Sequence, residues 1–548
     1  MASSGFRARM QAIGLRYWTA AAWAARSPQR AQERVLRRIL QANQRTEFGA
    51  EHSFGGIRSA DEYRARLSVQ DYDSLKHYID RQRCTGEPAL TAETPVFYAQ
   101  TSGSTGAPKY IPVPPTALGM HRAEQALFTY LQYHACPAAF DGKALGIMGA
   151  AVEGRLDSGH SVGSVSGHLY ESLPSSLRAR FVLPPRVSAI ADYELKYLVI
   201  LRLALASRDI TYLGSPNPST FLRLLDVLND RRDVLARSLE SGTFQEIDAL
   251  DEHLRAAVRP QLHTDLERAS QLRARKPLTF ADLWPGIRLV TTWTGGACGI
   301  ALDKLRQALP PGARVMELGY QSTECRGTMA LEAETPGGLP PLHHHFFEFV
   351  EQHDWDNGAR LCLGLQELEE GGRYYVIVTT AAGLYRYFMN DIVQVAGRYR
   401  ATPLLRFVQK GKGVTNLTGE KLYEAQVIDA VQGAARRYRF AIPFFVLVAD
   451  EERTSYHLFL ESDAASRPPA SEFLAAVDAR LGELNIEYHS KRASGRLAPL
   501  TLTWLQQGAG EAYKTACVRA GQREGQFKPV VLQYRRQLPL PIERYAIA

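Results

Sequence analysis

Cysteine is scarce in this chain of 548 residues: six, at 84, 136, 298, 325, 362 and 517. No two form a C-x-x-C pair, so neither a disulfide framework nor a zinc-finger spacing is available, and the thiols suit a reducing compartment. No run approaches 18 uninterrupted apolar residues, which excludes a transmembrane helix. The motifs H-E-x-x-H, G-x-x-x-x-G-K-[ST], G-x-S-x-G and G-x-G-x-x-G are all missing. Metalloprotease, Walker-type ATPase, serine hydrolase and dinucleotide oxidoreductase chemistry therefore have no support. A broad basic face is missing as well. The net charge of +8 is local, because residues 1–50 hold nine arginines against Glu33 and Glu47, a balance of +7, and the other 498 residues carry about +1. Nucleic acid is not an expected partner. The arginine-rich N-terminal helix is either a solvated face or a contact for an anionic surface. Arg7, Arg9 and Arg16 precede an alanine-rich run, Trp18 to Ala25, that is too thin for the apolar core of a signal peptide, so the expected location is cytoplasmic.

What is present reads as more than one domain, since a chain this long exceeds a single compact core. Residues 6–43 have helical periodicity, with Val35, Ile39 and Leu40 on one face. Buried-strand patterns at Leu145 to Ala151, Ile210 to Leu213, Leu289 to Trp293 and Arg314 to Leu318 alternate with helical stretches at 117–135 and 221–273. That alternation predicts an α/β domain with a mostly parallel sheet. From 346 onward the strands Phe346 to Val350, Tyr374 to Thr379 and Ile392 to Val395 are separated by turns only, which predicts an antiparallel subdomain. The segment Q-K-G-K-G, with Lys410 and Lys412, reads as a hinge. Beyond it, helices at 422–437 and 471–484 with strands at 443–449, 455–461 and 500–505 predict a small α+β domain. The expected division is 1–409 and 410–548.

His343, His344 and His345 attract the eye as a metal site. Neighbours in an extended segment point to alternate faces, so three in a row do not converge on one ion, and the run reads as the polar lead-in to a strand. The more informative stretches are polar loops at strand ends. Gln100 to Lys109 is Q-T-S-G-S-T-G-A-P-K: hydroxyls, two glycines that allow close approach of backbone N–H groups, and a lysine at the rim. It is followed by G-Y-Q-S-T-E (Gly319 to Glu324), G-L-Y-R-Y-F-M-N-D (Gly383 to Asp391) and G-E-K (Gly419 to Lys421). In that order they meet the needs of carboxylate activation by ATP. Phosphoryl oxygens need hydroxyls, N–H groups and a cation. Mg²⁺ needs a hard oxygen ligand such as Glu324. A ribose diol is well held by a carboxylate such as Asp391, and adenine by a flat ring such as Tyr320.

T-S-G-S-T-G-A-P-K resembles the phosphate-loop signature of the adenylate-forming superfamily. G-Y-Q-S-T-E and Y-R-Y-F-M-N-D resemble its second and third motifs, with Asn390 where the third has glycine. Within that superfamily the chain is most similar to the acyl-acid amido synthetases, the GH-three family of plant auxin and jasmonate conjugation. Val35 to Phe48, Phe346 to Phe349, G-L-Y-R-Y-x-x-x-D-I-V-x-V, L-R-F-V and G-Q-F-K-P near the end carry that likeness.

The resemblance implies that Thr101, Ser102, Ser104, Thr105 and Lys109 bind the phosphates of ATP. It implies that Tyr320, Thr323 and Glu324 meet adenine, α-phosphate and Mg²⁺, and that Asp391 holds the ribose. Lys421 and Lys528, from the smaller domain, would approach the nucleotide or the acyl-adenylate, and Glu324, Lys421 and Lys528 form the expected catalytic set. The implied enzyme is an AMP-forming ligase that couples a small carboxylic acid to an amine, an amino acid in this family. Thioester formation with coenzyme A or a carrier, and non-catalytic nucleotide binding, are the alternatives. The acyl pocket is expected between about 120 and 300, near Trp293 and the turn Thr294 to Gly296.

Overall fold

In the computed structural model, which describes residues 4–101, 109–273, 277–295, 298–411, 413–440, 442–461, 467–519 and 530–547, the N-terminal stretch is not one continuous helix. Helices Ser4–Ile13, Thr19–Ala24 and Pro28–Asn43 follow one another, with a π-helical turn, Gly14–Trp18, between the first two. Pro28 opens the third because its ring fixes φ and its missing N–H is unneeded at a first turn. At Gly14 a Cβ would come within 2.6 Å of the Tyr130 ring, so a side chain there would require that ring to shift. In Pro28–Asn43 the expected stripe is buried, Val35, Leu36, Ile39 and Leu40, while Arg30, Arg34 and Arg37 stay exposed. Among the described residues no helix is long and apolar enough to cross a membrane.

The chain divides into two units, Met1–Gln100 with Tyr110–Gln409, and Thr101–Lys109 with Lys410–Ala548. In the larger unit, strands Lys143–Gly146, Ile210–Gly214, Leu289–Thr292 and Arg314–Glu317 form one sheet in that order, all parallel. Strand Leu289–Thr292 is buried along its whole length, as a strand covered on both faces must be. A second sheet orders Thr402–Lys410, Tyr387–Tyr399, Arg373–Thr379 and Phe346–Glu351, with its last three strands antiparallel. The change of sheet type at 346 is thus as the turn-rich sequence predicts. In a third sheet, strands Phe97–Thr101 and Lys109–Val113 are neighbours.

In the smaller unit the sheet order is Thr501–Leu505, Ser455–Glu461, Phe444–Asp450, Leu532–Tyr534. The central pair is antiparallel and each outer strand is parallel to its neighbour. Helices Glu424–Tyr438, Ala470–Leu484, Ile486–Ala493 and Ala509–Arg519 accompany it. The last two helices and the strand Leu532–Tyr534 are not evident in the sequence pattern, being short elements with little periodicity to read.

The antiparallel sheet is fastened to the N-terminal helices by one buried carboxylate. Glu348, only 1% exposed, lies 3.0 Å from Arg64 Nε through one oxygen and 3.0 Å from Arg386 Nε through the other. Arg386 also donates to the backbone carbonyls of Arg64 and Leu67. Two guanidiniums thereby share one acceptor, and removing its charge leaves them uncompensated in the interior. Glu348→Gln should cost about 3–5 kcal/mol, read as a lower thermal unfolding midpoint. An unchanged midpoint would show that the triad contributes nothing to holding the two layers together.

Candidate active site

Two residues beyond strand Arg314–Glu317 comes Gly319, where φ is +97°. A side chain there is doubly excluded, since a Cβ would lie 2.2 Å from the carbonyl oxygen of Thr328. The chain then folds back on itself. Thr328 Oγ1 accepts from the Tyr320 N–H at 2.8 Å, and the Tyr320 carbonyl accepts from the N–H groups of Gly327 and Thr328 at 2.8 and 3.0 Å. Thr323 and Glu324 sit half-buried near the tip, between Ser322 and Cys325, whose backbones are joined at 3.0 Å.

Asp391 reaches the same place from the other sheet. Sequence reading puts Y-R-Y-F-M-N-D in a loop before a strand; the structure has its last five residues, Tyr387 to Asp391, inside strand Tyr387–Tyr399. The pairing jumps from Tyr375 opposite Ile392 to Ile377 opposite Phe388, so Met389, Asn390 and Asp391 together face Val376. Such a bulge breaks the alternation that otherwise decides which way a side chain points. Asn390 makes it possible with φ of +50°, a left-handed conformation that asparagine tolerates better than most non-glycine residues. The replacement of glycine by Asn390 therefore preserves the turn.

The result is direct contact between two expected site residues 71 positions apart: the Tyr320 hydroxyl donates to Asp391 Oδ2 at 2.7 Å. Tyr320 is 8% exposed and Asp391 1%. The Tyr320 ring stacks on Phe407, centroids 5.9 Å apart and planes 16° apart. Burial pushes its phenol well above the ordinary value, and the charges of Asp391 and Glu324 add to that. Burial also raises the Cys325 thiol, with Glu324, Glu124 and Asp391 contributing. Tyr320, Glu324 and Asp391 thus share one electrostatic neighbourhood. Among the described residues no group of three or more His, Cys, Asp or Glu is arranged to hold a metal ion.

Three contributors have roles that the sequence does not reveal, although Gly295 lies in the turn expected near the acyl pocket and Phe407 in L-R-F-V. Glu317, at the end of the apolar strand, accepts from the N–H groups of Thr294 and Gly319 at 2.7 and 3.0 Å and from the Thr294 hydroxyl. Its carboxyl is raised by burial. Gly295 lies so close to the Phe407 carbonyl that a Cβ would be 2.9 Å away. Phe407 supplies the flat surface under Tyr320. A lone acid closing an apolar strand beside a T-G-G turn was the available signal.

The histidine run also does something unforeseen. His344 Nδ1 and His345 Nε2 lie 2.8 and 3.2 Å from Glu124 Oε1, and His121 Nδ1 lies 3.4 Å from Glu124 Oε2. Burial pushes the Glu124 carboxyl up, but the three imidazoles outweigh it and hold the group well below the usual carboxylate range. The segment stays a lead-in to its strand, clamped further by Gln32, which bonds the carbonyls of Leu342 and His345 and the N–H of Phe347.

In the smaller unit Lys421 is half-buried with φ of +44°. Glu420, fully buried, accepts from the N–H groups of Leu417 and Thr418 at 2.6 and 2.7 Å and from the Tyr456 hydroxyl. Asn485 Nδ2 donates to the carbonyls of Glu420 and Lys421. The turn that presents Lys421 is therefore fully tied down. Thr101 ends its strand and half-buried Lys109 begins the next. Ser102, Ser104, Thr105 and Lys528, with Lys412 of the hinge, lie outside the described residues.

The GH3 family N-terminal domain matches residues 23–312, its central domain 339–410 and its C-terminal domain 425–537. The chain belongs to the GH3 family. It is similar to the indole-3-acetic acid-amido synthetase GH3.4 of Arabidopsis thaliana, 22% identical over 92% of this chain and 89% of that one. It is likewise similar to the enzyme GH3.8 of Oryza sativa subsp. indica, 24% identical over 91% and 87%. Among solved structures, AtGH3.15 acyl acid amido synthetase in complex with 2,4-DB matches with a TM-score of 0.67, at 20% identity, over 97% of this chain and 96% of that one. A 2-hydroxyisobutyryl-CoA ligase matches with 0.52, at 13% identity, over 94% and 90%. These likenesses show that this GH3 chain shares the fold of those enzymes.

The bulge offers a local test. Asn390→Gly keeps the left-handed residue and should leave the thermal midpoint unchanged within about 0.5 kcal/mol. Asn390→Val, β-branched at positive φ, should cost about 1–3 kcal/mol. Equal melting of the two variants would mean that the backbone at 390 is not constrained as described.

Proposed function

We propose that this chain is an ATP-dependent ligase that activates a carboxylic acid as its acyl-adenylate and transfers the acyl group to an amine, an amino acid, to form an amide. The observation that carries the reading is the Tyr320–Asp391 contact beside Glu324, in a chain of the GH3 family. The curated relatives it matches are named amido synthetases, which supports an amine rather than a thiol as acceptor.

In the first step a carboxylate oxygen of the acid attacks the α-phosphorus of ATP, and pyrophosphate leaves. No protein nucleophile is needed, because positioning and charge neutralisation suffice. Tyr320 offers adenine a ring already backed by Phe407. Asp391, steadied by the Tyr320 hydroxyl, accepts from the ribose. Thr101, Ser102, Ser104, Thr105 and Lys109 share the phosphates, and Thr323 meets the α-phosphate. Mg²⁺ is usually held by one or two carboxylates together with substrate phosphates, so Glu324 by itself is a sufficient protein ligand, and the ion would neutralise phosphate charge. In the second step the amine nitrogen attacks the acyl carbon, the bond to AMP breaks, and the nitrogen loses a proton. Residues 1–409 act as the adenylation domain and 410–548 as a domain whose rotation brings Lys421 and Lys528 to the site in turn. The location is cytoplasmic.

The test is a panel of acids with ATP, given either amino acids or coenzyme A and scored by pyrophosphate exchange and product mass. An amide is expected, whereas thioester alone would overturn the assignment of acceptor. Within the same assay, Asp391→Ala should abolish exchange more completely than alanine at any one of Ser102, Ser104 or Thr105, because the hydroxyls share their task and the carboxylate does not. Greater damage from a single loop hydroxyl would refute that division.

A further inference from the structure

Two residues after Glu324 stands an arginine whose charge the mechanism above does not use. Arg326 is 4% exposed. Its Nη2 is 3.4 Å from Gln125 Oε1 and 3.3 Å from Gln321 Oε1, two neutral amide oxygens at the long end of hydrogen bonding. Its guanidinium carbon lies 4.8 Å from the centre of the Phe128 ring. Its Nη1 is buried and has no hydrogen-bond partner among the described residues. The carboxylate acting on it is that of Glu124, but its oxygens lie against His121, His344 and His345, and no ion pair joins it to Arg326 among the described residues.

A buried guanidinium without a carboxylate partner is costly, because a charged donor stripped of water must be compensated elsewhere. The strain is visible in its acidity: burial pushes Arg326 down to about 10, although Glu124 works in the opposite sense. Contrast Arg386, which is equally deep but meets Glu348 at 3.0 Å. At Arg326 the protein supplies the parts that hold a guanidinium in place, an aromatic face and two amides, and omits the counter-ion. That omission is what a site completed by an anionic ligand looks like.

The position restricts which ligand. Gln125 and Phe128 belong to helix Pro115–Ala135, and Gln321 and Arg326 to the two limbs of the loop that carries Glu324. Arg326 thus stands on the loop of Glu324 and against a helix of the stretch, about 120 to 300, where the acyl pocket is expected. Resting on the adenylation reading, we infer that Arg326 selects acids that carry a second carboxylate, so that the substrate class is dicarboxylic. One carboxyl is activated, and the other accepts from the Arg326 fork beside the Phe128 ring.

The experiment compares dicarboxylic acids, from succinate to sebacate and the three benzenedicarboxylates, with the monomethyl ester of each. Binding is read by calorimetry and activation by ATP–pyrophosphate exchange, in the full-length protein and in Arg326→Met. The expected result is that at least one diacid binds and drives exchange about tenfold to a hundredfold better than its ester, the range for a hydrogen-bonded charge. The preference should vanish in Arg326→Met. Arg326→Lys, which keeps the charge and guards against a folding defect, should retain part of it. Esters that perform as well as their diacids, or a loss in Arg326→Met equal for both, would overturn the proposal; the latter would place Arg326 at the reacting carboxyl. Diacid binding that depends on Arg326 without any exchange would uphold the site and count against adenylation instead.

Discussion

The hydroxyl of Tyr320 and the carboxylate of Asp391, 2.7 Å apart, join two sheets that share no strand. Tyr320 follows the last strand of the parallel sheet, and Asp391 stands on a bulge of the antiparallel one. In the proposed nucleotide site the two halves are complementary, the ring giving a flat face and the carboxylate an acceptor whose direction the hydroxyl fixes. The remaining features of the large unit can be read as arrangements that keep this pair in register. Gly319 lets the chain turn back, Glu317 ties that turn to Thr294, Phe407 backs the ring, and Asn390 supplies the left-handed residue that brings Asp391 across.

Glutamates recur as the fastening device, three of them buried and Glu317 half-buried. Glu348 gathers Arg64 and Arg386, Glu124 gathers three histidines, Glu317 gathers a turn and a strand end, and Glu420 gathers the turn before Lys421. A buried acid is tolerated when partners compensate its oxygens, and here those partners are loop backbone and side chains, several from distant segments. The consequence is that polar loops are tied to the elements around them, which suits a reaction whose catalysis is mostly positioning. Arg326 departs from this pattern, and that departure is what makes it informative.

Much of this was legible in the sequence, for identifiable reasons. Strands such as Leu289–Thr292 and Arg314–Glu317 announced themselves because buried parallel strands are continuous apolar runs. The helix Pro28–Asn43 was marked by its stripe, though its separation from the preceding helices turned on Pro28 alone. The motif residues around Tyr320, Glu324 and Asp391 stood out by type and order. Their roles did not. Phe346 to Phe349 and Gly383 to Asp391 could be matched as motifs, yet nothing local reveals that Glu348 of one and Arg386 of the other form a buried pair. Likewise a strand bulge depends on the partner strand, and the histidines' carboxylate is 220 residues away from His344. Pairings of that range are set by the fold and cannot be read from neighbours in sequence.

The central claim is that a carboxylate oxygen of the acid substrate becomes bonded to the α-phosphorus of ATP. Turnover of an acid labelled with ¹⁸O in its carboxyl group, followed by mass spectrometry of the nucleotide product, tests this most directly. The account predicts AMP carrying one ¹⁸O from the acid. Label in inorganic phosphate together with ADP, or unlabelled AMP formed alongside the amide, would contradict it.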